Sequence, residues 1–383
     1  MKKICILGGG ASALICACFA PSDVLVTLIE QNDKVGKKIL ATGNGRCNLT
    51  NSNMNKYSYS ANIESFIKRF SSHDVINFFS SIGLETYADE QGRVYPLSNS
   101  AVSVLEVLKN FILQKNNVNI ITGKKFLNLT KEDKGFKVFY EDSFEVFDSV
   151  VVALGNNASL SIFDKLGVKI KPFVPSLCAL KTKRNKTLAG VRISNVKVTC
   201  KDVGFEEVGE VQFREDGVSG IVVFNLSAFF ARQNKLFDFY LDFLPNLSSD
   251  ELIEKLKNRR IKLNNYLIDD FLTGFFIKAI NFDLFSKLKL DLNKKVCSLT
   301  DKNLLELASL IKNYKIEPLD FLNNNQVCSG GVCLDQLDQN LQALFCKGLY
   351  FIGEVVDVDG VCGGYNLQWA WTSGKIVGES LWN

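Results

Sequence analysis

Gly8, Gly10 and Ala13 stand at the spacing G-x-G-x-x-A, and Glu30 follows Gly10 by twenty residues. Each residue type has a physical task at such a spacing. Gly8 permits a tight turn, Gly10 lets backbone approach a pyrophosphate, and Ala13 lets a helix pack closely on a strand. Ser12 lies in the same first helical turn, whose free amides attract phosphate. Glu30 can accept hydrogen bonds from ribose hydroxyls and would repel a 2′-phosphate. The chemistry implied is the binding of a dinucleotide.

The surrounding elements fit that task. Residues 4–7 are a short apolar run that reads as a buried parallel strand, and residues 14–20 have helical spacing and small side chains. Residues 24–29 are a second apolar run ending at Glu30, which completes a βαβ unit. A secretory leader is the competing reading, because Lys2-Lys3 precede an apolar stretch ending in Ala20. Three consecutive glycines interrupt that stretch, and cleavage would take away the partner of the strand ending at Glu30.

Residues 31–51 form a long polar loop rich in glycine and asparagine, which reads as a binding loop because it directly follows the ribose position. Lys37, Lys38 and Arg46 can meet phosphate oxygens, and Gly43 and Gly45 let amides crowd a ligand. Helices are expected at 63–70, 73–82 and 102–114, strand pieces at 119–122 and 126–129, and a hairpin over 136–147. The lone histidine, His73, lies beside Ser71-Ser72 at a helix start and reads as a surface or capping position. Residues 150–155 are a buried strand closing on Gly155, where strand ends line a ligand crevice. From residue 175 the texture changes. Residues 196–200, 208–213, 221–226 and 237–244 alternate with period two and predict an antiparallel sheet. Helices follow from Ser248, with a further start at Thr300-Asp301. The closing segment returns to the pattern of the first thirty residues. A strand ends in Gly353 and Glu354, a turn follows at Asp357–Gly360, and Gly363-Gly364 lead into a helix.

Composition narrows the class. The 383 residues are 46% hydrophobic and 22% charged, with a formal net charge of +4. That balance is globular, and its mild charge argues against nucleic acid as a partner. Eleven cysteines without repeated spacing, beside one histidine, point to buried thiols in a reducing cytoplasm and to no metal site. No apolar run is long enough to span a bilayer, so no membrane partner is expected.

The strings Gly8–Ala13 (GGGASA), Gly36–Asn51 (GKKILATGNGRCNLTN), Gly92–Pro96 (GRVYP), Gly348–Gly360 (GLYFIGEVVDVDG) and Gly363–Gly374 (GGYNLQWAWTSG) resemble the HI0933-like family of bacterial FAD-dependent oxidoreductases. The resemblance runs over nearly the whole chain. It implies extended FAD across a Rossmann-like domain built from both chain ends. Carried onto this sequence, Gly8, Gly10 and Ala13 meet the pyrophosphate and Glu30 the adenosine ribose. Lys38, Thr42, Gly43, Arg46, Cys47 and Asn48 line the phosphate and flavin side. Gly353, Glu354 and Asp357 face the ribityl chain and pyrophosphate, and Gly364, Tyr365, Asn366 and Leu367 sit by the isoalloxazine. Phe126 supplies backbone contacts near adenine. The family's middle domain usually carries T-H-x-G-x-S-G-P. Here Arg214–Ile221 reads REDGVSGI, without the histidine and proline. Cys328 and Cys333 have the C-x4-C spacing of flavin disulfide reductases, though late in the chain, and separate buried thiols are the simpler reading.

The expected fold is therefore α/β: an FAD-binding domain from residues 1–174 and 326–383, an inserted antiparallel β domain at 175–246, and a small helical domain at 247–325. The expected activity is an FAD-dependent oxidoreductase. NAD(P)H docks transiently to reduce the flavin, since no second G-x-G-x-x-G is visible, and a small enone-type or carbonyl acceptor, or oxygen, reoxidises it. Arg93 and Tyr365 are the substrate-side candidates, and no catalytic acid or base is assigned. A flavin-binding, redox-responsive interaction protein without efficient turnover is the alternative. A flavin-free NAD-linked dehydrogenase would explain residues 8–30 and leave the GGYN string without a role.

Overall fold

The computed structural model describes residues 1–54, 58–156, 160–322 and 327–381. The chain divides into two compact units, Met1–Val174 with Gln326–Asn383, and Pro175–Asn325. The expected boundary at 325/326 lies outside the described residues.

The first unit holds every candidate site residue. Its main elements, in chain order, are β1 (Lys2–Leu7), α1 (Ala11–Phe19), β2 (Val24–Ile29), α2 (Lys37–Ala41), α3 (Ala101–Leu113), β3 (Val118–Ile121), β4 (Ser149–Val152), β5 (Leu349–Phe351) and α4 (Tyr365–Ser380). The five strands form one parallel sheet in the order β5-β4-β1-β2-β3. Ile4, Cys5, Ile6 and Leu7 are fully buried, as are Val150, Val151 and Val152. Such unbroken apolar runs suit strands covered on both faces. Because the strands are parallel, their C-terminal ends share one edge and deliver Gly8, Glu30, Gly155 and Gly353 to it.

Helix α4 crosses close to α1. A Cβ at Gly374 would lie 2.4 Å from the Ser12 carbonyl oxygen, and one at Gly378 would lie 2.7 Å from that of Cys16. Bare glycine backbone lets these two helices touch. Trp369 and Trp371 on α4 are buried, with their indole N–H groups donating to the carbonyls of Gly353 and Leu49. The last helix is thereby tied to both β5 and the loop after α2. A three-stranded antiparallel ribbon, Asn128–Glu132, Gly135–Phe139 and Phe144–Phe147, fills the connection between β3 and β4. Phe126 precedes the first of these strands rather than opening it.

In the second unit the strand order is Tyr314–Ile316, Phe239–Asp242, Arg192–Cys200, Phe205–Arg214, Gly217–Ser219, Leu180–Lys181 and Asp320–Phe321, antiparallel throughout. Val198 and Leu241 from the sheet share one apolar core with Leu252, Leu256, Leu304 and Ile311 from the helices. The β and helical segments thus form one unit where the sequence texture predicts two. Residues 221–226, expected as a strand, lie in the helix Ile221–Gln233. Val222, Leu226 and Phe230 stand four apart and are fully buried, a period that six residues are too few to reveal. Gly220, at φ 113°, turns the chain into that helix. Among the described residues no helix is long and apolar enough to cross a membrane.

Candidate functional site

The glycine turn is shaped from behind. Gly8 has φ 103°, and a Cβ there would lie 2.4 Å from the carbonyl oxygen of Ala153, just past the end of β4. Gly9, not singled out by the spacing, is equally constrained: a Cβ would meet Val35 at 2.8 Å and Glu30 at 3.0 Å. Gly10 is different. A Cβ there would have nothing within 4 Å. Gly10 caps α1, and no side chain bonds the amides of its first turn. An open approach to free helix amides is what a pyrophosphate requires. Ser12 and Ala13 are buried in that turn, with Ser12 Oγ 2.5 Å from where Gly353 would carry a Cβ. The turn after β1 and the end of β5 are thus in contact.

Glu30 closes β2 and is only 8% exposed. One carboxylate oxygen accepts from the amide of Gly9 at 2.7 Å; the other accepts from the backbone and side-chain nitrogens of Asn32 at 2.8 and 2.5 Å. Three of about four acceptor positions are therefore taken. A ribose held by both hydroxyls needs the Asn32 side chain to move aside.

Lys38 and Glu354 meet although 316 residues separate them, at 2.5 Å. Asn156 completes the arrangement: it accepts from Lys38 Nζ at 3.1 Å and donates to Glu354 Oε1 and to Cys328 Sγ, each at 3.1 Å. The Cys328 amide also donates to Glu354 at 2.9 Å. Burial and the neighbouring Glu354 carboxylate push the Cys328 thiol up, so it stays protonated. Gly155, at φ 64°, brings its backbone within reach of Glu354. Asn156 and Cys328 were not legible as partners of Glu354; the one available signal was that Asn156 follows the glycine ending a buried strand.

The loop after α2 is held by local bonds. Thr42 donates to the Ile39 carbonyl at 2.6 Å, and Gly43 adopts φ 56°. Arg46 is exposed and lies over the Tyr95 ring at 4.7 Å. Cys47 is buried with φ 59°, and its thiol is pushed up to about 12 by burial. The Asn48 side-chain amide lies 3.0 Å from the Thr50 carbonyl and 3.1 Å from the Gly364 amide and, with its nitrogen turned to the carbonyl, bonds both, joining this loop to the start of α4. Gly364, at φ 100°, presses on Thr50, leaving no room for a Cβ. No side chain caps α4.

Other candidates are committed to internal bonds. Asp357 accepts from Lys171 at 2.6 Å and from the Gly330 amide at 3.2 Å. Asn366 brackets Gly360, bonding its N–H and its carbonyl at 2.9 Å each. Tyr365 is buried, edge-on to Tyr59 at 5.8 Å, and Leu367 is half-buried beside it in sequence. Arg93 places Nε and Nη2 on Asp89, both at 2.7 Å. Phe126 stacks on Phe163 at 6.4 Å, just after Lys124, whose amide bonds the Glu30 carbonyl. Cys328 and Cys333 are both free. Cys328 lies within the strand Val327–Val332 and Cys333 one residue past its end.

The residues present fit an extended dinucleotide. The open helix start lies at Gly10, the carboxylate at Glu30, the cation at Lys38, and a second uncapped helix start at Gly364.

Residues 2–380 match the family described as the HI0933-like protein Rossmann domain. The 3-dehydro-bile acid delta(4,6)-reductase of Clostridium scindens is 35% identical over 407 aligned positions, which cover 99% of each chain. The ribosomal RNA dihydrouridine synthase of Escherichia coli is 25% identical, with 98% of this chain and 97% of that protein covered. Among solved structures, a 3-ketosteroid delta1-dehydrogenase from Sterolibacterium denitrificans superposes with a TM-score of 0.49 at 12% identity, covering 99% of each chain. By the family match over almost its entire length, the chain belongs to the HI0933-like Rossmann-domain family.

Proposed function

We propose that the chain, an FAD-dependent oxidoreductase, takes electrons from NAD(P)H and returns them to a carbon–carbon double bond conjugated with a carbonyl in a small organic acceptor. The carrying observation is the contact between Lys38 and Glu354 beside the open start of α1. It supports one extended cofactor spanning both chain ends. The acceptor class follows from the names of two relatives. A Δ4,6 unsaturation beside a 3-keto group and the 5,6 bond of uridine are both activated by a neighbouring carbonyl.

In this reading the amides of Gly10 and the first turn of α1 hold the pyrophosphate, and Glu30 takes the ribose as Asn32 swings out. Lys38 offsets phosphate charge while Glu354 accepts from the ribityl hydroxyls. Bound there, FAD would supply hydride acceptance from reduced nicotinamide and hydride donation to the acceptor. The uncapped amides of the first turn after Gly364, at residues 365–367, favour negative charge at the isoalloxazine end. Arg93 and Tyr365 remain the substrate-side residues, with Asp89 fixing the Arg93 guanidinium in direction.

A visible spectrum of the purified protein, followed by anaerobic NADH or NADPH, tests the reading. Yellow protein should bleach, and colour should return on adding a 4-en-3-one steroid and not on adding uridine-containing RNA. Protein that stays colourless and takes up no FAD refutes it. Recovery with RNA alone moves the acceptor to the nucleic acid. A flavin that dithionite reduces and no pyridine nucleotide does would favour the interaction protein without turnover.

A further inference from the structure

The segment that carries Lys38 has another face, and it borders a cavity of about 570 Å3 that holds, of the residues expected at the dinucleotide, only Lys37. Val35 and Leu105 are its buried walls, and Ile120 on β3 is half-buried there. Leu40 and Leu113 also line it, yet they are 38% and 75% exposed, as apolar side chains facing an open pocket would be. Lys34, Lys37 and Lys109 border it together with a single carboxylate, Asp33. None of the three ammonium groups makes an ion pair among the described residues. Lys37, expected at the phosphates, therefore lines this cavity while Lys38 turns to Glu354.

The volume lies within the range of small-molecule pockets, which pair apolar walls with a few polar groups. An apolar lining with an excess of unpaired cations selects an amphiphilic anion. Leu105, Lys109 and Leu113 recur every fourth residue on α3, so one helix face offers apolar, cationic and apolar contacts in sequence. We infer that this cavity is a binding site for a small monocarboxylate with an extended apolar body, separate from the dinucleotide site. Its occupant would bear on the glycine turn. Val35 packs behind Gly9, the Gly36 amide donates to the Gly9 carbonyl at 2.7 Å, and Leu105 presses on Gly36.

Calorimetric titration of the whole protein with dodecanoate, below its critical micelle concentration, tests the inference with and without FAD. That readout stands whether or not the flavin reading holds. Saturable binding of one dodecanoate per chain is expected, with dodecanol at least about tenfold weaker. Lys109→Glu and Leu113→Glu alter exposed positions, so folding should be kept, as circular dichroism would verify. Each should weaken dodecanoate about tenfold. No saturable binding, equal affinity for acid and alcohol, or unchanged affinity in both variants overturns the inference. So does capture by phosphatidylglycerol vesicles without binding of monomeric dodecanoate, which would make the lysines a membrane-facing patch.

Discussion

Lys38 is the residue on which the two chain ends depend electrostatically. Its ammonium sits between Glu354 and Asn156, and nothing else cationic bonds to that carboxylate among the described residues. Lys38→Met would leave a half-buried anion facing an anionic cofactor, a costly arrangement. FAD affinity should fall by at least about tenfold in a fluorescence titration. Adding Glu354→Gln should restore part of it, because the unpaired charge is then removed; a double variant no better than the single would show that the pair has no joint role. Thiols make a second expectation. Cys297 is exposed while most other cysteines are buried. Native protein should show a fast thiol phase that Cys297→Ser abolishes. NADH should leave the thiol titre unchanged, because Cys328 and Cys333 stand as separate free thiols.

At the scale of elements, what could be read in advance was what short stretches encode. The strand ending at Glu30 is a local apolar run, and the helix starts at Ser248 and Thr300 are capping boxes closed within four residues. Ser248→Ala should cost about 1 kcal/mol in urea unfolding and leave FAD affinity untouched. Residues 221–226 of the helix Ile221–Gln233 read as a strand because Ile221-Val222-Val223 carry strand propensity, and the glycine that starts the helix acts through its φ. Asn156 and Cys328 could not be foreseen as partners of Glu354: they lie 198 and 26 residues from it, with no local pattern linking them. The close crossing of α1 and α4 was likewise hidden, since a glycine in a helix does not announce its neighbour. Gly374→Val should force the helices apart, lowering stability by about 3 kcal/mol and weakening FAD in step. A variant with normal stability would mean that the crossing has slack.

For the whole molecule, buried thiols set an alkaline limit. Burial pushes Cys18 and Cys47 up to about 12 from an ordinary 9.0, and it raises Cys5 and Cys16 as well. The folded state keeps these protons where the unfolded chain would release them. Their contribution is thus fully present below about pH 9 and is lost as pH rises from there toward 12. Urea midpoints should be level between pH 7 and 8.5 and fall steadily above 9; a midpoint unchanged at pH 10.5 would mean that these thiols are reached by water. The sheet order carries a consequence for synthesis. β4 finds its outer neighbour only in β5, and residues 153–348 emerge from the ribosome between the two. At about 5–20 residues per second that interval lasts roughly 10–40 s. During it the nascent chain presents an unfinished parallel edge, and the second unit has time to fold on its own. Release of residues 349–383 then completes sheet and cofactor cradle in one step, so a chain cut short by premature termination can hold no flavin.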